Sequence, residues 1–161
     1  MAGCLRALRW YVRLGCRARQ AVTSWRTVSA SWEDRGVLVP RLATICLGFP
    51  EVTQRPSHGA PTWFVRGKAS FVTLWEHGHH DHDFPHLWCA APAGSQEHYI
   101  AADPDRFFRP PYVGGRGWLG VRLDYASDVD ALDWDELADL CEDAYRTVAP
   151  KALIQQLESE G

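Results

Sequence analysis

Residues 62–66 and 68–75 are two runs rich in β-branched and aromatic side chains, and only Gly67 separates them. Runs of that kind around a glycine predict a β-hairpin, and a hairpin must find further strands or helices to cover its apolar face. The chain supplies both. Residues 87–91 form another short strand candidate ended by Pro92, and residues 118–123 form another. Asp133 can cap a helix whose first turn holds Asp135 and Glu136, where the helix dipole favours acids. Trp134, Leu137, Cys141, Ala144, Tyr145 and Val148 then make one apolar face, and Pro150 breaks the helix before a short coda over 152–157. Upstream, Pro40 suits a first helical turn, Leu42, Ile45 and Cys46 carry a helical spacing, Gly48 closes the helix and Pro50 forbids its continuation. Ser95 caps a short helix to Ala102, and the Pro- and Gly-rich residues 107–117 read as a loop. Helices flanking a set of strand runs predict a single α+β domain on an antiparallel sheet built from hairpins, with N- and C-terminal helices.

Charge divides the chain unevenly. Residues 1–35 hold seven Arg against two acids, while residues 36–161 hold ten Lys or Arg against eighteen acids, so a basic leader precedes an acidic body. Arg6, Arg9, Arg13 and Arg17 would form one stripe on a helix, and the Arg-rich, acid-poor composition also suits an organellar transit peptide. Trp10, Trp25 and Trp32 add a capacity for membrane or nucleic-acid contact. The reading adopted for 1–35 is a disordered extension ahead of a domain over 37–157. No apolar stretch reaches the length of a membrane span. Five scattered Cys, odd in number and without a C-x-x-C pair, exclude a disulfide scaffold and a Cys-rich zinc site, and predict a reducing, cytoplasmic setting. Cys89 and Cys141 fall in apolar patterns that predict buried, inert thiols.

The most conspicuous chemistry is the segment 76–83. His77, His79, Asp81 and His82 follow the H-x-H-x-D-H order of metallo-β-lactamase-like hydrolases, and imidazoles with a carboxylate suit zinc. The further downstream ligands of that pattern are missing, since only His86 and His98 follow. A polar, solvated loop between strands is the preferred reading, no metal or cofactor is expected, and a hydrolase is the third-ranked function. Ser57 and His58, as neighbours without an orienting acid, read as a turn and not as a nucleophile with its base. Residues 114–117 lack the Lys-Ser/Thr of a phosphate loop, and the acids between Asp124 and Glu136 lack the ligand order of a calcium loop. Arg66, Lys68, Arg116 and Arg122 fall in or beside strands and turns, and Arg106 and Arg109 flank Phe107 and Phe108. Basic residues among aromatics suit phosphates and bases, and they equally suit the acids of this body.

Several segments together resemble the MmcQ/YjbR-like family of small bacterial proteins. They are Leu-Gly-Phe-Pro-Glu-Val at 47–52, Ser-His-Gly-Ala-Pro-Thr-Trp-Phe-Val-Arg-Gly-Lys at 57–68 and Asp-Pro-Asp-Arg-Phe-Phe at 103–108. Pro-Pro-Tyr-Val-Gly at 110–114, Arg-Gly-Trp-Leu-Gly-Val-Arg-Leu at 116–123, Asp-Trp-Asp-Glu-Leu at 133–137 and 144–151 complete the pattern. The resemblance spans about 37–157. It implies an antiparallel sheet of hairpins flanked by helices, similar to a double-wing arrangement, and a DNA-binding, non-enzymatic protein. His79 and His80 lie where relatives carry a His-bearing turn, and the leader has no counterpart. On that reading the hairpins meet a duplex, with Arg66 and Lys68 at one and Arg116 and Arg122 near the second contacting phosphates. The alternative is a protein- or small-ligand-interaction module whose patch is formed by Phe107, Phe108, Tyr112 and Trp118.

Overall fold

The computed structural model describes residues 36–80 and 82–160; the leader 1–35, Asp81 and Gly161 lie outside the described residues. The first helix, α1 (Leu38–Leu47), buries Leu38, Leu42 and Cys46 along one stripe. It starts two residues before Pro40, which stays in the first turn, where a missing N–H costs nothing. Gly48 follows the last helical residue but is right-handed (φ −70°), so its left-handed freedom is not what ends the helix.

Strands β1 (Val52–Ser57), β2 (Ala60–Val65), β3 (Ala69–Trp75) and β4 (His86–Cys89) come next. Helix α2 (Ser95–Ala102), the two-residue β5 (Phe107–Phe108), β6 (Leu119–Arg122), α3 (Trp134–Val148) and α4 (Lys151–Glu160) complete the order. The strands form one sheet, β1-β2-β3-β4-β6-β5, with every pairing antiparallel. The hairpin expected around Gly67 is present. Arg66 (φ 55°) and Gly67 (φ 65°) are both left-handed, and Lys68 N–H donates to the Val65 carbonyl at 3.0 Å. That is the two-residue turn whose twist matches a hairpin. His58 (φ 52°) and Gly59 (φ 82°) make a second one between β1 and β2, so His58 lies in a turn and Ser57 is the last residue of β1.

Two elements depart from the sequence reading. Residues 52–57 form a strand despite Pro56, because β1 is a sheet edge and has only β2 beside it. Phe107 and Phe108 belong to a strand and not to a loop, pairing with Val121 and Gly120. The capped helix is as expected: the Asp133 carboxylate accepts the Glu136 N–H at 3.1 Å.

Registry assigns the sheet two faces. Trp63, Val72, Cys89 and Leu119 lie level across β2, β3, β4 and β6, as do Leu74, Leu87 and Val121 one step along. All are buried and face α3, which presents Leu137, Cys141, Ala144 and Tyr145. Tyr145 stacks on Phe49 (5.0 Å between centroids), meets Phe71 edge-on (5.8 Å) and donates its hydroxyl to the Pro50 carbonyl at 3.0 Å. Cys46, Cys89 and Cys141 are free and buried here, as their apolar context predicts. The bond with Cys46, and then burial, push the Cys141 thiol up, which keeps it protonated and unreactive. The opposite face carries Thr62, Thr73, Trp75, His86, Trp88 and Phe108. No helix covers it. Trp75 and Trp88 pack there with Ala60, Phe108, Val113 and Trp118 as a separate apolar cluster.

Candidate functional site

The four basic residues expected to meet phosphates do not gather into one patch. Lys68 ends the turn into β3, and Arg116 ends a 3-10 turn (Gly114–Arg116) leading into β6. Val72 and Leu119 both lie level with Cys89, so these two turns open at the same end of the sheet. Arg122 lies level with Trp75 and His86, at the other end. Two of the four are also engaged by acids. Arg66 holds Glu51 through Nε and, at 3.3 Å, through Nη2, and that bond holds the Glu51 carboxyl below its usual range. Arg122 grips Asp124 with two nitrogens at 3.0 and 2.7 Å and lies 4.1 Å over the Phe84 ring. Lys68 and Arg116 are exposed and have no ion pair among the described residues.

The other arginines sort in the same way. Arg106 is structural: it binds Glu136 at 2.6 Å and the Tyr125 hydroxyl at 3.0 Å, with its side chain 13% exposed. Arg55, which the sequence does not single out, is exposed on β1 and lies 3.9 Å over the Phe64 ring beside the β2–β3 turn. Arg109 is exposed with no carboxylate partner among the described residues.

The histidine segment is a loop that is solvated only in part: His77, His80 and Asp83 are exposed, while His79 and His82 are half-buried. It folds back over the uncovered face of the sheet through a bridge between His79 and His82, with bonds of 2.7 and 3.2 Å. Gly78 permits the fold, since a Cβ there would lie 2.1 Å from the His82 carbonyl oxygen. The His79 ring lies 3.6 Å from that of Trp75 and meets Trp88 edge-on at 5.2 Å. His82 packs on Phe108 (4.6 Å) and His86 (5.8 Å). Aromatic rings attract imidazole through apolar contact and quadrupole, a preference invisible to hydrophobic periodicity. His86 is fully buried and its Nδ1 lies 2.8 Å from the Phe84 carbonyl, which fixes the hydrogen there in the neutral ring. Burial takes its pKa down to about 4, and burial also lowers that of His79. Four ring nitrogens in this layer, on Trp75, His79, His86 and Trp88, are buried with no hydrogen-bond partner among the described residues. Of the proposed metal ligands, Asp81 lies outside the described residues, and among these no three His, Cys, Asp or Glu stand close enough to hold a metal ion.

Above this layer a half-open cleft of about 300 Å³ is lined by His80, His82, Arg109, Pro111 and Tyr112. The patch expected from Phe107, Phe108, Tyr112 and Trp118 divides between layers. Phe107 is buried on the helix face, Phe108 and Trp118 pack under the loops, and Tyr112 stands 77% exposed beside the cleft.

A six-stranded antiparallel sheet with helices on one face and histidine-bearing loops on the other defines a small α+β domain, and comparison with known proteins specifies which kind. The YjbR family model matches residues 47–147, more than half of the chain, and the chain belongs to that family. Its fold is similar to the crystal structure of Deinococcus radiodurans protein DR2400, which carries a DUF419 domain. The TM-score is 0.56 at 16% identity, over 74% of this chain and 87% of that one. Among curated proteins none matches. No helix of the described residues is long and apolar enough to cross a membrane.

Proposed function

We propose that this domain is a non-catalytic DNA-binding module that meets the duplex with one end of its sheet. The observation that carries the reading is the placement of Lys68 and Arg116. Both are exposed, neither is ion-paired among the described residues, and the strands they lead into lie two places apart in the sheet. Two strand spacings are about 10 Å, within the roughly 12 Å width of a DNA major groove. Arg66 and Arg122, each already holding a carboxylate, contribute less, because a phosphate must compete with Glu51 or Asp124. DNA is then the partner and the cytoplasm the compartment, where free thiols such as those of Cys46, Cys89 and Cys141 stay reduced.

The test is fluorescence anisotropy of the full chain with a labelled mixed-sequence duplex between 50 and 200 mM salt. Each phosphate contact adds about 0.9 to the slope of log affinity against log salt, so Lys68 and Arg116 together add about 1.8, or about a twelvefold loss over that range. Lys68→Ala with Arg116→Ala should remove that part of the slope, and Arg66→Ala with Arg122→Ala should change it much less. Binding absent at 50 mM salt, or a slope unmoved by the first pair, would reject the reading.

A further inference from the structure

The cleft over the histidine layer has the construction of a ligand site, and it is separate from Lys68 and Arg116. Its cation is Arg109. Gly114 makes room for that side chain: a Cβ there would lie 2.5 Å from Arg109 Cγ, so the arginine stem occupies the space a larger residue would fill. The loop carrying Gly114 is in turn tied to α2, because the buried Gln96 amide donates to the Gly114 carbonyl at 2.9 Å and to that of Trp118. The guanidinium is therefore presented from an anchored loop, with no carboxylate among the described residues to neutralise it.

The cleft's aromatic walls are His80 and Tyr112, whose rings stand 5.1 Å apart. His80 (φ 55°) is a turn residue within the His79–His82 bridge, as His58 and Arg66 are in their hairpins, whereas Tyr112 (φ 62°) is left-handed outside any hairpin. Tyr112 is 77% exposed, the most exposed large apolar side chain among the described residues.

We propose that this cleft binds a small organic anion consisting of a planar ring with a carboxylate or a phosphate. Arg109 receives the anionic group, because its fork of N–H donors matches either oxyanion. The ring lies against Tyr112 and His80. The volume, about 300 Å³, stands at the small end of ligand pockets, which limits the ligand to the size of one ring system and its anionic group.

Isothermal titration of the full chain tests this with four probes: adenosine monophosphate, 4-hydroxybenzoate, adenosine and inorganic phosphate. At least one of the first two should bind, and the stronger of them names the anionic group. Adenosine, which lacks the charge, and phosphate, which lacks the ring, should each bind at least tenfold more weakly. Arg109→Met should weaken the preferred probe at least tenfold and Tyr112→Ala severalfold, with the circular dichroism of both variants unchanged. Gly114→Ala provides a second route, since it displaces Arg109 while leaving the guanidinium in the protein, and it should also weaken binding. No binding of either ring-bearing anion at 10 mM, or equal affinity in Arg109→Met, would overturn the proposal.

Discussion

His86 makes the stability of this domain depend on acid in a way that can be isolated. Its ring is fully buried between Trp75, Trp88 and Phe108, with Nδ1 at the Phe84 carbonyl and a buried Nε2 that has no partner among the described residues. Protonating Nε2 would place a charge in that layer, so the folded pKa falls from 6.5 to about 4. The unfolded chain takes up a proton below pH 6.5 that the folded chain refuses until about pH 4. The contribution of neutral His86 is therefore complete above pH 6.5 and is lost as the pH falls through that window. Integrated, the loss approaches about 3 kcal/mol, most of it gone by pH 4.5. A loss of that size is a large part of a typical domain's stability. Urea unfolding at intervals from pH 7.5 to 4.5 would measure it in the natural protein and in His86→Gln. Glutamine can still donate to the Phe84 carbonyl but does not titrate. The carboxylates common to both proteins cancel in the difference, leaving a gap that narrows by about 2–3 kcal/mol toward acid pH. Parallel loss of stability in the two proteins would refute the argument.

Gly120→Ala should cost about 1–3 kcal/mol in urea unfolding, the ordinary range for overpacking. Its Cβ would lie 2.5 Å from two ring carbons of Phe108, and that ring is confined by His82 and His86 at 4.6 and 5.5 Å. Adding Phe108→Ala should make the double variant less destabilised than the sum of its parts, and a neutral Gly120→Ala would contradict this packing. Tyr145→Phe removes the bond to the Pro50 carbonyl that ties α3 to the turn before β1, with an expected loss of about 1 kcal/mol by the same assay.

What the sequence revealed depended on how locally each element is encoded. Helix α3 carries its own cap at Asp133, an acidic first turn and one apolar face, so nothing beyond the segment was needed to read it. The β2–β3 hairpin likewise declares itself through β-branched and aromatic runs around Gly67. Strand β1 is not legible in the sequence because Thr53, Gln54, Arg55 and Pro56 are exposed and hold their places only through β2. The two residues of β5 are too few to show any alternation. At the candidate sites the limiting fact was distance along the chain. Arg66 meets a carboxylate fifteen positions upstream, and Arg109 reaches its cleft beside His80 and His82 from another loop. The packing of His79 and His82 is not legible for a different reason: pairing an imidazole with Trp75 or Phe108 leaves no periodic trace.

Strand β1 is also one of the two free borders of the sheet. The bond from Arg66 N–H to the Glu51 carbonyl sets the phase of the β1–β2 ladder, so residues 53, 55 and 57 hydrogen-bond inward and Pro56 faces away from the sheet. The outer edge of β1 thus lacks one of the three donors a neighbouring strand would need, that of Pro56, and Arg55 sets a charge beside the gap. At the opposite border β5 offers only two residues. Neither border is a good template for adding a strand, which protects the sheet against edge-to-edge polymerisation when the protein is concentrated.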